Sequence, residues 1–232
     1  LFLCGDASQR IYQNFFSWSS SGIQIQGRSR QLSVNYRNTE EIRAFATAVL
    51  TGSSKGGDDE FESTISTTRL TGAQPVIKMC SDESDEIIAL AEWIQDMLRS
   101  GYQQSDIAVF TRRTNSINSI CAPALNLVPG AHRRDLRDNR PPSEEGISLG
   151  TMHGAKGLEF KAVALAGCGT QQIPDTDSMG SACDQMEQEE VLDQERNLLY
   201  VALTRPRERL LVTCNGGLSS LFPNDFPELY GV

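Results

Sequence analysis

Short apolar segments alternate with segments of helical periodicity along most of this 232-residue chain. The clearest helical segment is 82–99, whose apolar residues recur on one face. The apolar segments are too short for helices and are bounded by turn residues, as strands are. Regular alternation of strand and helix predicts an α/β fold, with a parallel sheet and helices on both faces. The predicted strands are 75–79, 107–110, 147–149, 162–166 and 210–213, and further helices are predicted from Asn38, at 114–127 and at 187–203.

Several boundaries carry local signals. Asn38 is a good N-cap residue and Glu41 follows three positions later, which predicts a capping box at Asn38. Gly101 is predicted to end the helix at 82–99. The stretch 129–146 is polar and rich in Arg and Pro, so it is predicted to be a loop.

Composition narrows the class of protein. The net charge of −9 weakly disfavours nucleic-acid binding, but arginines cluster at 112–113, 133–140 and 205–209, which leaves room for an arginine-lined groove. Six cysteines show no C-x-x-C spacing and there are two histidines, so no metal site is predicted. With no secretory signal and no apolar stretch long enough for a bilayer, a cytoplasmic protein with reduced thiols and no membrane partner is expected.

Four segments carry the chemistry. They are Gly-Asp-Ala-Ser-Gln-Arg-Ile-Tyr at 5–12, Asn-Tyr-Arg at 35–37, Thr-Met-His-Gly-Ala-Lys-Gly-Leu-Glu-Phe at 151–160, and Glu-Arg-Asn-Leu-Leu-Tyr-Val-Ala-Leu-Thr-Arg at 195–205. The last two are long enough to be specific, and the order adds to their weight. Together they resemble motifs III to VI of the UvrD/Rep/PcrA-type superfamily 1 DNA helicases. The resemblance implies a RecA-like sheet and an ATP-dependent enzyme that translocates on single-stranded DNA and unwinds duplex.

The resemblance also implies a set of ATP contacts. Arg37 and Arg205 match arginines that act on the γ-phosphate, where a fixed cation stabilises the charge that hydrolysis builds. Tyr36 matches a tyrosine that stacks on adenine, Glu159 an acid that accepts from the ribose, and Gln9 a sensor between nucleotide and DNA. Residue type alone leaves other roles open. Arg37 and Tyr36 also fit a surface arginine and a core tyrosine. Arg205 also fits a cation that interacts with a helix dipole, and Gln9 an ordinary turn residue.

DNA contacts follow from the same motifs. Tyr12 and Trp18 are the candidates for stacking on bases, and Thr151 and His153 match positions that contact the phosphate backbone. The match weakens after Tyr12, so Trp18 is equally well explained as a core residue. A lone histidine is also more often structural than functional.

The domain organisation is inferred from what the motifs cover. Residues 1–27 would complete a first RecA-like domain and its linker, and 28–232 would form the second, with 121–146 too short for a large accessory domain. No G-x-x-x-x-G-K-[ST] occurs, so ATP and Mg²⁺ are expected to be bound mainly by the first RecA-like domain, and this chain is expected to be inactive alone.

Two other functions compete with the helicase. One is a non-catalytic helicase-like module that binds nucleic acid or a protein partner. The other is a free-standing nucleotide enzyme of doubly wound type, which the lack of a Gly-rich phosphate loop disfavours. For the helicase the expected partners are single-stranded DNA, duplex junctions and the first RecA-like domain of the same protein. DNA repair, recombination and plasmid maintenance all remain open.

Overall fold

The strands of the computed structural model, which describes residues 34–50, 67–136 and 146–222, are all parallel within two sheets. They are β1 (Val34–Asn35), β2 (Thr67–Thr68), β3 (Val76–Cys80), β4 (Ile107–Thr111), β5 (Arg133–Asp135), β6 (Ile147–Thr151), β7 (Phe160–Ala166) and β8 (Pro206–Asn215). The first two form a small separate sheet, and the other six form the main sheet in the order β3-β8-β7-β4-β6-β5.

The helices connect these strands. They are α1 (Glu40–Leu50), α2 (Glu83–Arg99), α3 (Thr114–Ser116), α4 (Ala122–Asn126), α5 (Thr176–Gly180) and α6 (Gln185–Leu203), with a π-helical turn at Ile117–Cys121 and 3₁₀ turns at Gln104–Asp106 and Met152–Ala155. No helix in the described ranges combines the length and the apolar character that a bilayer crossing needs.

The main sheet separates two hydrophobic cores. Along β4, Ala108 and Phe110 belong to one core, and Ile107 and Val109 belong to the other. Successive side chains of a strand point to opposite faces, so a strand buried on both sides is apolar throughout. Helices α1 and α6 cover the first face, and α2 and α4 cover the second. The predicted α/β fold with helices on both faces is confirmed.

Helix α2 is bounded by the signals that the sequence contains. The Asp82 side chain accepts a hydrogen bond from the Asp85 backbone nitrogen at 2.9 Å, which satisfies a free donor of the first turn. Gly101 follows the helix with a φ of +91°, a conformation that glycine adopts without a Cβ penalty. The predicted bounds therefore hold to within one residue at the N-terminus.

The predicted capping box at Asn38 is wrong. Helix α1 begins at Glu40, and the buried Asn38 side chain donates to the carbonyl oxygens of Thr204, at 3.1 Å, and Pro206. Glu41 accepts from the Gly72 backbone nitrogen at 2.9 Å. Both side chains have partners far along the chain, which a local capping pattern does not reveal.

The predicted loop 129–146 also needs correction, because β5 lies within it. Arg133 pairs with Ile147 and Asp135 pairs with Leu149, which adds an edge strand to the sheet. This strand is three charged residues long, so it carries none of the apolar alternation by which strands are predicted. The predictions for Gln9, Tyr12, Trp18 and the linker before residue 28 concern positions outside the described residues.

A fully buried carboxyl group connects α2 to β8 and to the residue that follows β7. Glu86 Oε1 accepts from the Gly167 backbone nitrogen at 2.8 Å and from the Thr213 hydroxyl at 2.6 Å, and Oε2 accepts from the Asn215 side chain. Each partner is a donor, so the group is satisfied as an acceptor. A buried polar group of this kind stabilises the fold only while every partner stays in place.

Replacing Glu86 with Gln tests this connection. The new amide nitrogen would face donors instead of acceptors, which should lower the free energy of unfolding by about 2–3 kcal/mol. Urea unfolding of this chain followed by circular dichroism measures the change. Glu83→Gln, on the exposed first turn of the same helix, is the control and should change it by less than about 0.5 kcal/mol. Equal stability of the two variants would contradict the role given to Glu86.

Candidate functional site

Two groups of polar side chains lie at opposite ends of the strands. The first follows the carboxyl ends of β4 and β6, which pair in parallel with Thr111 opposite Thr151. This register brings the residues after Thr111 next to the residues after Thr151. Ligands of open parallel sheets bind at this edge.

A cleft of about 530 Å³ opens at that edge. Cations, hydroxyls and an amide on its walls are groups that donate hydrogen bonds to anionic oxygens. The carboxylates of Asp175 and Asp177 oppose them from the segment before α6. The full lining is Arg112, Arg113, Thr114, Asn115, Thr151, His153, Asp175 and Asp177.

Thr151 and His153, the predicted backbone-binding residues, lie together in this cleft. The Thr151 side chain accepts from the Gly154 nitrogen at 3.3 Å and so caps the 3₁₀ turn that carries His153. Burial lowers the pKa of His153 below its ordinary 6.5, and the charge of Arg112 lowers it further, against opposing effects of Glu195 and Asp175. The imidazole is therefore neutral at pH 7.

Arg112 is fixed in position from the opposite side of the cleft. Its Nε and Nη2 donate to the Glu195 carboxylate of α6 at 2.6 to 3.0 Å, in a pair of which the two side chains are 14% and 5% exposed. Burial opposes the charged form, but the hydrogen bond and the charge of Glu195, together with the charge of Asp175, outweigh it and raise the pKa of Arg112. This buried pair joins the end of β4 to α6.

Arg113 makes its contacts with the segment around α5. Nε donates to Asp175 at 2.6 Å, and Nη2 donates to the Thr176 hydroxyl at 2.9 Å and lies 3.1 Å from an Asp177 oxygen. Neither Arg113 nor its acidic partners are among the residues that the motifs predict. The available signal was the pair of arginines directly after a buried strand, since such positions lie at the ligand-binding edge.

The second group lies at the amino ends of β7 and β8, where Phe160 pairs with Pro206. Arg37 Nε is 2.6 Å from a Glu159 oxygen, and both side chains are about 40% exposed. Asn35 orients the arginine by accepting from the Arg37 backbone nitrogen at 2.7 Å. The neighbouring Tyr36 is 76% exposed, so it is not a core residue.

Arg205 lies beside this group but is only 2% exposed. Its guanidinium donates to the carbonyl oxygens of Val201 at 2.8 Å and Leu158 at 3.1 Å, and to the Thr204 hydroxyl at 3.3 Å. The arginine therefore joins the end of α6 to the residue before Glu159. The predicted contact with a γ-phosphate stays a prediction, and a structural role for the side chain is visible.

The predicted ATP contacts within the described residues come from three distant segments and lie together. Arg37 contacts Glu159, Arg205 contacts the adjacent Leu158, and Asn38 holds the carbonyls on either side of Arg205. Thr151 and His153 belong to the other end of the sheet. Among the described residues, no cluster of three or more His, Cys, Asp and Glu is arranged to hold a metal ion.

Comparison with known proteins assigns the chain to a family. The model of the UvrD-like helicase C-terminal domain matches residues 30–126 and 132–216. The chain is 26% identical over 233 residues to the ATP-dependent DNA helicase UvrD2 of Mycobacterium tuberculosis, covering 95% of this chain and 29% of that protein. It is 34% identical over 98 residues to the ATP-dependent DNA helicase PcrA of Bacillus subtilis, covering 42% of this chain and 12% of that one.

A solved structure agrees in fold. The crystal structure of the C-terminal domain of a possible DNA helicase from Lactobacillus plantarum WCFS1 superposes with a TM-score of 0.56 at 18% identity. The match covers 85% of this chain and 98% of that one. Against the longer curated relatives, this chain spans less than a third of the length.

Replacing Arg205 or Arg37 with Ala should lower the free energy of unfolding by different amounts. Arg205→Ala removes buried hydrogen bonds to two carbonyls and leaves a cavity, so unfolding free energy should fall by about 2–4 kcal/mol. Arg37→Ala removes a half-exposed ion pair and should cost less than about 1 kcal/mol. Chemical denaturation of the two variants measures this. A larger loss for Arg37→Ala than for Arg205→Ala would contradict the geometry.

The environment of His153 predicts its titration. In a ¹H–¹⁵N NMR titration the His153 imidazole should show a midpoint below 6.5, because burial and Arg112 both disfavour the charged form. His153→Gln assigns the signal. A midpoint above 6.5 would mean that the acidic neighbours outweigh burial, against the arrangement described.

Proposed function

We propose, from the premise that the chain belongs to the UvrD-like helicase C-terminal domain family, that it is the second motor domain of an ATP-dependent DNA helicase. Its role would be to present one wall of an ATP site to a first RecA-like domain and to grip single-stranded DNA. Coupling of the two would drive translocation and duplex unwinding.

The observation that carries the proposal is the meeting of the segments around Arg37, Glu159 and Arg205. They are far apart in sequence and are joined by an ion pair, by the Arg205–Leu158 hydrogen bond and by the buried Asn38 side chain. A surface that merely solvates an arginine needs no such long-range support. A site that must aim a cation at a substrate does.

The donor set at this edge suits a nucleoside triphosphate. Tyr36 offers an exposed aromatic face to a base, the Glu159 carboxylate can accept from ribose hydroxyls, and Arg37 offers a planar cation to phosphate oxygens. ATP supplies the phosphoryl group whose transfer provides the free energy of movement, with Mg²⁺ held mainly by the first motor domain. The residues of this chain would bind the nucleotide and orient it.

The Arg37–Glu159 pair sets the resting position of the cation. A half-exposed ion pair contributes about 0–1 kcal/mol, so it can be opened at small cost. Arg37 would then leave Glu159 for phosphate, and Glu159 would be free to accept from a hydroxyl. The ion pair therefore orders two residues that are predicted to bind ATP, and either residue can leave the pair at small cost.

At the other end of the strands, the cleft with Thr151 and His153 is the proposed path of single-stranded DNA. Hydroxyl and imidazole N–H donors bind phosphate oxygens without reading the base sequence, as a translocating enzyme requires. Arg112 and Arg113 are the cations of the lining, and Asp175 and Asp177 lie against them.

One observation favours the second candidate, a non-catalytic helicase-like module. The Arg205 guanidinium is occupied by carbonyls and a hydroxyl of its own domain. A γ-phosphate contact would require it to exchange these partners. If Arg205 is structural in all states, Arg37 must act alone, or the domain binds without catalysing.

DNA-stimulated ATPase of the full-length gene product tests the proposal. Arg37→Ala should reduce turnover at least about a hundredfold, because an arginine finger is worth roughly 10³–10⁵. Affinity for single-stranded DNA should stay within about threefold. Arg99→Ala is the matched control: it removes an arginine from an exposed pair with Asp96 on α2, across the sheet from α1, and should leave turnover unchanged.

Two outcomes separate the candidates. Equal ATPase in Arg37→Ala and Arg99→Ala would reject the finger role of Arg37. A wild-type protein that binds single-stranded DNA but shows no DNA-stimulated ATPase would favour the non-catalytic module.

A further inference from the structure

The two acidic partners of Arg113 are held very differently. Asp175 is 11% exposed, and besides Arg113 it accepts from both the backbone nitrogen and the hydroxyl of Ser178, capping α5. Burial acts to raise the pKa of Asp175, but the hydrogen bonds from Ser178 and Arg113 and the charge of Arg112 outweigh it and hold the pKa below its ordinary 3.8. Asp177 has an 85% exposed side chain, and within the described residues its carboxylate contacts Arg113 alone.

The arginines of the cleft also differ. Arg112 donates from two nitrogens to the buried Glu195 carboxylate, so its charge is compensated inside the protein. Arg113 is 29% exposed, and its Nη1 makes no hydrogen bond within the described residues. Arg113 is thus the cleft arginine that an anion from solvent can approach with little rearrangement.

The charges at the cleft do not favour an anion. Arg112 is neutralised by Glu195 and His153 is neutral, so the charge of Arg113 faces those of Asp175 and Asp177. A phosphate entering this cleft meets no net attraction until one carboxylate moves away. Asp177 can move, because an exposed ion pair is weak and its side chain has no other anchor, whereas Asp175 cannot move without uncapping α5.

We propose that Arg113 binds a backbone phosphate of single-stranded DNA and that Asp177 competes with that phosphate for the guanidinium. The inference rests on the proposed path of DNA through this cleft. Asp175 keeps Nε in place, so the guanidinium keeps its orientation while Nη1 and Nη2 donate to a phosphate oxygen. Asp177 therefore lowers the affinity of the domain for single-stranded DNA, and a lower affinity favours release of the DNA at each step of translocation.

Binding of a fluorescent oligo-deoxythymidylate to the full-length gene product, measured by anisotropy, tests the proposal. Asp177→Asn should tighten binding about threefold to tenfold, because the competitor loses its charge. Arg113→Gln should weaken binding by a similar factor. Asp96→Asn, which removes a carboxylate from an exposed Arg99 pair on α2, is the charge-matched control and should change binding less than twofold.

The double variant Arg113→Gln/Asp177→Asn separates competition from a general charge effect. If Asp177 acts through Arg113, adding Asp177→Asn to Arg113→Gln should change the affinity less than twofold. The salt dependence gives a second readout: its slope should rise with Asp177→Asn and fall by about 0.7 with Arg113→Gln, the loss of one phosphate contact on a single strand.

Three results would overturn the proposal. The first is an affinity of Asp177→Asn equal to that of Asp96→Asn, and the second is a tightening by Asp177→Asn that is as large in the Arg113→Gln background as in the wild type. Either result rejects the competition and leaves the ATPase proposal standing. A wild-type protein that does not bind the oligonucleotide contradicts both the DNA path and the competition.

Discussion

Parallel strand register is the constraint from which both polar groups follow. Pairing of Thr111 with Thr151 puts the residues after β4 beside the residues after β6, which creates the cleft. Pairing of Phe160 with Pro206 puts Glu159 beside the end of α6, and the hydrogen bonds from Asn38 to Thr204 and Pro206 bring Arg37 to the same place. The short segment between β6 and β7 runs from one group to the other. One short backbone segment therefore connects the two polar groups covalently.

The charged side chains divide into fixed and exchangeable pairs. Arg112–Glu195 and the Glu86 network are buried and satisfied, and breaking them leaves a charge or a polar group without a partner. Arg37–Glu159 and Arg113–Asp177 are exposed on at least one side and cost little to open. Fixed pairs hold strands and helices in register, whereas exchangeable pairs lie where a phosphate is proposed to bind. Buried pairs thus stabilise the fold, whereas exposed pairs lie at the proposed phosphate sites.

Prediction from sequence succeeded where the signal is local or repeated. Apolar runs and helical periodicity predicted the α/β class and the bounds of α2 to within one residue, because these signals depend on neighbours within a few residues. It failed at Asn38 and at β5, whose partners are backbone groups far along the chain. The Arg113–Asp175 ion pair was not predicted for the same reason, since 62 residues separate the two side chains along the chain. The motifs named the candidate site residues, but only the fold showed that Arg205 is buried and that Tyr36 is exposed.

A crystal structure of the full-length gene product with a non-hydrolysable ATP analogue tests the central claim most directly. The quantity to measure is the distance from the Arg37 guanidinium to the nearest γ-phosphate oxygen. The account predicts about 3 Å, a charge-assisted hydrogen bond, with the ion pair to Glu159 open. Arg37 still paired with Glu159 and far from an ordered γ-phosphate would contradict it.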